Sequence, residues 1–151
     1  LYYNYWFVFS KACEYGIKAT IFIAINSYDG RRVSPKEISK EIDSPTAFTA
    51  KILQDLVRHH IIKSVKGAYG GFEIDKDTIS KIKLAQIVNA IDGDQIYKGC
   101  GLGLQSCNEA HPCPVHDKFK LVRDDLKFML EHTSLEELAL NITSGASFLK
   151  I

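Results

Sequence analysis

No stretch of this chain approaches the ~20 consecutive apolar residues that a bilayer-spanning helix needs, and the longest apolar runs are a few residues each. Internal repeats and low-complexity segments are absent, which excludes solenoids and compositional linkers. Excess charge of either sign is missing too: 19 basic residues against 18 acidic leave a net +1. Cysteine is scarce, with four in 151 residues, and three of the four fall in one short segment. An odd trio cannot pair off internally, so a disulfide framework is disfavoured. The opening LYYNYWFVF holds five aromatics in its first seven residues but no basic leader and no small-residue cleavage site. It is read as an atypical extension over residues 1–8 and not as a signal peptide. The expected compartment is therefore the reducing cytoplasm, where clustered thiols bind metals or act in redox chemistry more often than they cross-link.

What is present describes a globular protein: 46% hydrophobic and 25% charged residues, with length for one domain or one domain and an extension. The small net charge hides an uneven distribution. Residues 31–66 carry eight Lys/Arg (Arg31, Arg32, Lys36, Lys40, Lys51, Arg58, Lys63, Lys66) against four acids, whereas residues 100–151 carry five basics against seven acids. A basic block on an otherwise neutral chain is the footprint of a nucleic-acid-reading subdomain.

Helical periodicity places a largely buried helix from Ser10 to about Tyr28, closed by Asp29-Gly30. Ser34-Pro35-Lys36-Glu37 is a capping box with proline at N1, opening a short helix to about Glu41. Ser44-Pro45 repeats the start signal, and Phe48, Ile52 and Leu56 continue at helical spacing. Two capped helices a few residues apart read as a helix-turn-helix. Next, Ile61–Lys66 and Phe72–Ile74 flank a glycine-rich tip, the signature of a β-hairpin. Residues 83–91 form a further amphipathic helix. After the cysteine segment, Pro114 opens a long helix to about Glu131 with a stripe of Phe119, Val122, Leu126 and Leu130. Thr133-Ser134 caps a last helix to near Asn141. The fold class is mainly α (α+β): a winged helix-turn-helix over residues 9–82, then a cysteine loop and dimerisation helices over residues 83–151.

In a helix-turn-helix the N-terminal part of the second helix meets base edges. Here that part presents Thr46, Ala47, Thr49, Ala50 and Lys51. Arg31, Arg32, Lys40 and Lys51 suit phosphates, which position without specifying. At the wing tip, Lys66 and Tyr69 flank glycines that permit close approach to a groove. His59-His60 do not share a helix face. They are read as structural, at a helix C-terminus that favours positive charge.

The cysteine segment reads C-x6-C-x5-C-x2-H from Cys100 through Cys107 and Cys113 to His116. Nucleophilic catalysis needs an oriented base and oxyanion donors that nothing in the sequence places, so no enzyme is expected. Zinc on a Cys3His set is chemically sound. An iron–sulfur cluster accepts thiolates with a histidine substitution, and Gly99, Gly101 and Gly103 would let backbone N–H groups approach its sulfurs. Both remain open on the residues alone. Cys13, on the apolar stripe of the first helix, is read as a buried thiol.

The whole arrangement resembles the bacterial winged-helix regulators of the IscR/NsrR type across residues 9–141. The resemblance rests on Ser10…Tyr15-Gly16, Glu37-Ile38, Ser64-Val65-Lys66-Gly67-x-x-Gly70-Gly71-Phe72 and three spaced cysteines before a long helix. It implies a cytoplasmic homodimer, with no membrane attachment, that reads palindromic double-stranded DNA and represses or activates transcription. Its seam would hold Phe119, Val122, Leu126 and Leu130. It also implies an iron–sulfur cluster, [2Fe–2S] with [4Fe–4S] or zinc as alternatives, on Cys100, Cys107 and Cys113. His116 matches the fourth ligand of the [2Fe–2S] branch, and Glu14 the carboxylate that the nitric-oxide-sensing branch takes from the partner's first helix. Lys66 and Ala68 stand where the family pattern has arginine and proline, and His60 where it has glycine. Other readings of the same chain are a zinc- or thiol-based sensor and a non-DNA interaction protein on the same fold.

Overall fold

Ser10 starts the first helix, α1 (Lys11–Tyr28), by accepting the Cys13 N–H on its hydroxyl at 3.1 Å. Its own N–H donates to Asp92 Oδ2 at 2.9 Å, which pins the helix start to a distant segment. The computed structural model describes residues 8–150; nearly all of the 1–8 extension, and residue 151, lie outside the described residues. Gly16 explains how closely α1 is packed: a Cβ there would lie 2.0 Å from Ile91 Cδ1.

The capping box forms as the sequence predicts. Ser34 Oγ accepts from the Glu37 N–H, Glu37 returns the bond to the Ser34 N–H, and α2 runs Pro35–Glu41. α3 runs Thr46–Arg58 with Pro45 as its N-cap, so Ser44 stands one residue too early to cap. β1 (Lys63–Val65) pairs antiparallel with β2 (Gly71–Glu73), Ser64 opposite Phe72. Val33 adds a bridge on the other side of Phe72. Then follow α4 (Lys76–Ile79), α5 (Leu84–Ile91), α6 (Gln95–Lys98), α7 (His116–His132) and α8 (Leu135–Thr143). The one-turn helices α4 and α6 are additions to the sequence reading. Pro114 precedes α7 instead of sitting in its first turn, since Val115 is the N-cap.

One core joins Ile23, Ile38, Leu53, Leu56 and Ile79 to Ile87 and Leu135, so apolar packing runs straight across residues 82 and 83. A backbone bond reinforces the join, from Leu135 N–H to Ile82 O at 2.8 Å. A second cluster holds Cys13, Leu84, Ala85, Val88 and Leu130, which seats α7 on α1 and α5.

The end of α3 makes a Schellman motif: His60 N–H bonds to Val57 O and Ile61 N–H to Leu56 O, both at 3.0 Å. This puts His60 at φ +58°, a left-handed conformation that glycine adopts without a Cβ penalty. His60→Gly is expected to stabilise the fold by about 0.5–1 kcal/mol, less what glycine adds to unfolded-state entropy. A urea midpoint at or below that of the parent contradicts this.

Candidate nucleic-acid interface and cysteine loop

On α3 the buried stripe is Thr49, Ile52, Leu53 and Leu56. Thr49 is therefore a correction to the expected base-reading set: it is 1% exposed. Its hydroxyl bonds to Pro45 O at 2.9 Å and pairs with Ser44 Oγ, so the side chain braces the helix start from within. Ser44, displaced from the cap position, uses its hydroxyl on this side-chain bond instead. Thr46, Ala47 and Lys51 are exposed on the outer side, and Ala50 is half-buried.

The cations divide into two groups. Arg31 bonds to Asn26 Oδ1 at 2.6 Å and is ion-paired with Glu37. Arg32 pairs with Glu73 at 2.8 Å and reaches Tyr69 O at 3.2 Å, so it braces the wing tip. Lys40, Lys51 and Lys66 are exposed and join none of the ion pairs among the described residues. At the tip, Tyr69 is 91% exposed. Gly70 has no room for a side chain, because a Cβ would meet Val65 O at 2.2 Å.

Between α6 and α7 the cysteine loop brings Cys107 and His116 together. Cys107 Sγ lies 3.3 Å from His116 Nδ1, and His116 is buried in the first turn of α7. The Cys100 thiol is held below its usual range, first by the Leu102 N–H, whose nitrogen lies 3.4 Å from the sulfur. The Leu104 N–H acts in the same direction, partial burial opposes it, and the Cys113 thiol and Gly103 N–H add to the lowering. Among the described residues no three His, Cys, Asp or Glu side chains converge as a metal-holding group. Glu14 sits on α1, paired with Lys11 at 3.2 Å. Cys13 is fully buried, and burial pushes its thiol up to about 12, with Asp92 adding to the rise.

α7 presents two faces. His116, Arg123, Leu126 and Leu130 face the protein's own interior, with Leu130 at 0% exposure. The expected seam is corrected there: Leu130 is core, and Leu126 is half-buried against the same cluster. Phe119 lies against Gly101, where a Cβ would come within 2.8 Å of the ring. Val122 is exposed, together with Leu121, Phe128 and Met129, which lie outside the expected seam. Arg123 is a further residue that sequence reasoning misses. It is 8% exposed, donates from Nη1 to Gly99 O at 2.7 Å, and has a buried Nε with no partner. A lone arginine in a polar stretch of helix carries no sequence signal of burial.

Comparison with known proteins agrees with this architecture. The Rrf2 family profile, described as an iron-dependent transcriptional regulator, matches residues 9–141. A protein of Aquifex aeolicus assigned as an HTH-type transcriptional regulator is 29% identical over 133 residues, covering 87% of this chain and 90% of its own. The HTH-type transcriptional regulator IscR of Photorhabdus laumondii is 27% identical, covering 85% of this chain and 76% of its own. Among solved structures, CymR, the global cysteine regulator of B. subtilis, superposes with a TM-score of 0.72 at 22% identity, over 87% of this chain and 95% of that one. The T. potens IscR superposes at 0.69 with 19% identity, over 92% and 90%. These likenesses bear out the mainly helical winged-helix fold, and relatives named as transcriptional regulators bear out that this is no enzyme. With its profile matched over residues 9–141, the chain belongs to the Rrf2 family of transcriptional regulators.

Proposed function

We propose that this chain is a homodimeric cytoplasmic regulator that binds palindromic double-stranded DNA and senses redox, iron–sulfur status or nitric oxide through an iron–sulfur cluster. Cys100, Cys107, Cys113 and His116 would hold that cluster, [2Fe–2S], with Glu14 of a second copy as the alternative fourth ligand. The observation that carries the reading is one pair of donors brought together in the loop, Cys107 Sγ at 3.3 Å from His116 Nδ1. A two-iron cluster asks for two donors on each iron, one of which tolerates imidazole in place of thiolate. When bound, the cluster supplies a one-electron couple and a nitric-oxide-reactive centre.

The chain's own residues do the rest. The Leu102, Gly103 and Leu104 N–H groups favour the charged form of Cys100. His116 is fixed in the first turn of α7, so ligation there links the loop to that helix. Thr46, Ala47, Ala50 and Lys51 would approach base edges, and Lys40 and Lys66 phosphates, with Tyr69 at the wing tip. Arg31 and Arg32 would add phosphate contacts only by sharing donors already used on Glu37 and Glu73.

Anaerobic purification with iron, sulfide and zinc analysis tests this reading. Near-stoichiometric iron and sulfide with visible absorbance are expected; stoichiometric zinc without sulfide overturns it. A second reading, a thiol switch, is favoured by the Cys100 thiol, which the Leu102 and Leu104 N–H groups hold below its usual range. It requires a protein free of iron in which loop thiols oxidise to a disulfide.

Lys66→Ala is expected to weaken binding to every duplex and to lower the salt slope by about one, since a phosphate-neutralising lysine releases about one counterion. An unchanged slope in a folded variant removes Lys66 from the interface.

A further inference from the structure

Helix α3 and the small wing sheet do not close on each other. The helix side of the gap is Ala50, Gln54, Val57 and Arg58, spaced as one helix face beside the buried stripe. The sheet side follows from register. Ser64 lies opposite Phe72, and Val33 bridges Phe72 from the other flank, so the three side chains share one face of the sheet. Val33 is buried, Phe72 half-buried and Ser64 exposed, so that face runs out of the core into solvent. Where it emerges, two small side chains, Ala50 and Ser64, leave a cleft of about 530 Å³. Its floor is apolar, since Val57 and Phe72 pack in part against the core. Its polar groups are the Gln54 amide, the Arg58 guanidinium and the Ser64 hydroxyl, and none of the described residues that line it is acidic. An apolar cleft of this size with a few convergent polar groups has the make-up of a small-molecule site.

We infer that this cleft binds a small aromatic carboxylate, its ring against Phe72 and Val57 and its carboxylate on Arg58, Ser64 and Gln54. Charge selects the anion. Arg58 pairs with Asp55 at 3.3 Å, but its side chain is 70% exposed, and a surface pair of that kind is worth little. A guanidinium fork matches a carboxylate in two parallel bonds. The surrounding block, residues 31–66, adds its excess of eight basic residues over four acids. A flat ring gains from an aromatic neighbour beyond the area it buries. None of the lining residues belongs to the cysteine loop. Ala50 lines the cleft and also belongs to the set proposed to face base edges, so a bound ligand would oppose DNA binding. That consequence, unlike the site itself, rests on the DNA reading of α3 and the wing.

The test titrates the isotope-labelled full chain with naphthylacetate and with its neutral amide, naphthylacetamide, and follows amide shifts by NMR. Saturable shifts are expected at Gln54, Ser64 and Phe72, with the acid bound about fivefold more tightly than the amide. Arg58→Gln should abolish that preference. Ser64→Leu, which fills the cleft, should abolish saturation by both compounds. Arg58 is exposed, so Arg58→Gln gives the decisive comparison even where Ser64→Leu fails to fold. Shifts that do not saturate or that map outside the cleft overturn the inference, as does equal affinity of acid and amide in the wild type. A mixed-sequence duplex should then raise the apparent dissociation constant of naphthylacetate about fivefold at low salt, the lower range of coupling between sites. An unchanged constant with the duplex bound overturns the antagonism. A chain that binds no duplex sinks the DNA reading instead, while the mapped shifts still decide the site.

Discussion

Cys107→Ser protein is expected to emerge from anaerobic purification colourless, and so are Cys100→Ser and Cys113→Ser. The ligand in an iron–sulfur site is a thiolate, and a serine hydroxyl stays protonated at neutral pH. It therefore offers neither the charge nor the soft donor that iron in this site requires. His116→Ala should behave differently. Its Nδ1 stands 3.3 Å from Cys107 Sγ, but it is a neutral donor that water or another side chain can replace, so a weaker and more labile chromophore is expected. Glu14 sits on α1 and pairs with Lys11. If Glu14→Ala removes the chromophore and His116→Ala spares it, the fourth ligand is the carboxylate. Cluster occupancy should also change affinity for one operator at matched salt. Coupling free energies between sites run to about 1–3 kcal/mol, roughly 5- to 150-fold. Full colour in all three serine variants, or equal DNA affinity of loaded and unloaded protein, means that the loop is no sensor.

The sequence is most legible where a side chain acts on its own backbone. Ser34, Pro35 and Glu37 carry the start of α2 in four residues, and that helix starts where they place it. Ser44-Pro45 looks like the same signal. Proline takes the N-cap position itself, and the freed Ser44 hydroxyl turns to Thr49. The phase of α3 follows from that tertiary detail, which is why Thr49 is expected on the DNA side and lies inside. The one-turn helices α4 and α6 have too few residues to show a period. The boundary drawn at residues 82 and 83 is crossed by the bond from Leu135 N–H to Ile82 O and by the core that joins Ile79 to Ile87. Of the cysteine loop, spacing tells which residues compete as ligands. It does not tell that Cys107 meets His116, because folding of a glycine-rich loop is set by contacts such as Phe119 on Gly101 and Arg123 on Gly99.

The same limit applies to α7 and leads to the largest expected effect on assembly. Phe119, Val122, Leu126 and Leu130 recur at steps of three and four residues, and the stripe reads as a face toward a partner. Periodicity fixes which residues share a face, never what that face meets. In the folded chain Leu126 and Leu130 of this stripe pack on the protein's own domain, on the side that also buries His116 and Arg123, whereas Val122 stays exposed. The opposite face repeats as well: Leu121 and Phe128, then Val122 and Met129, each seven residues apart and all exposed. Phe128 is 63% exposed and stacks its ring on His132 at 3.9 Å. Leu126→Asp is therefore a poor probe, because it would disrupt the core together with any interface. Phe128→Asp leaves the core intact and, under the dimer proposal, buries a carboxylate with no partner at a two-fold seam. Each symmetry mate brings the same charge, so a loss of about 3 kcal/mol is reasonable for an unpaired buried charge. That raises the dimer dissociation constant on the order of 100-fold. Light scattering on the eluted protein should then report a monomer with wild-type helicity by circular dichroism. A folded Phe128→Asp dimer at the same concentration would move the seam off this face of α7.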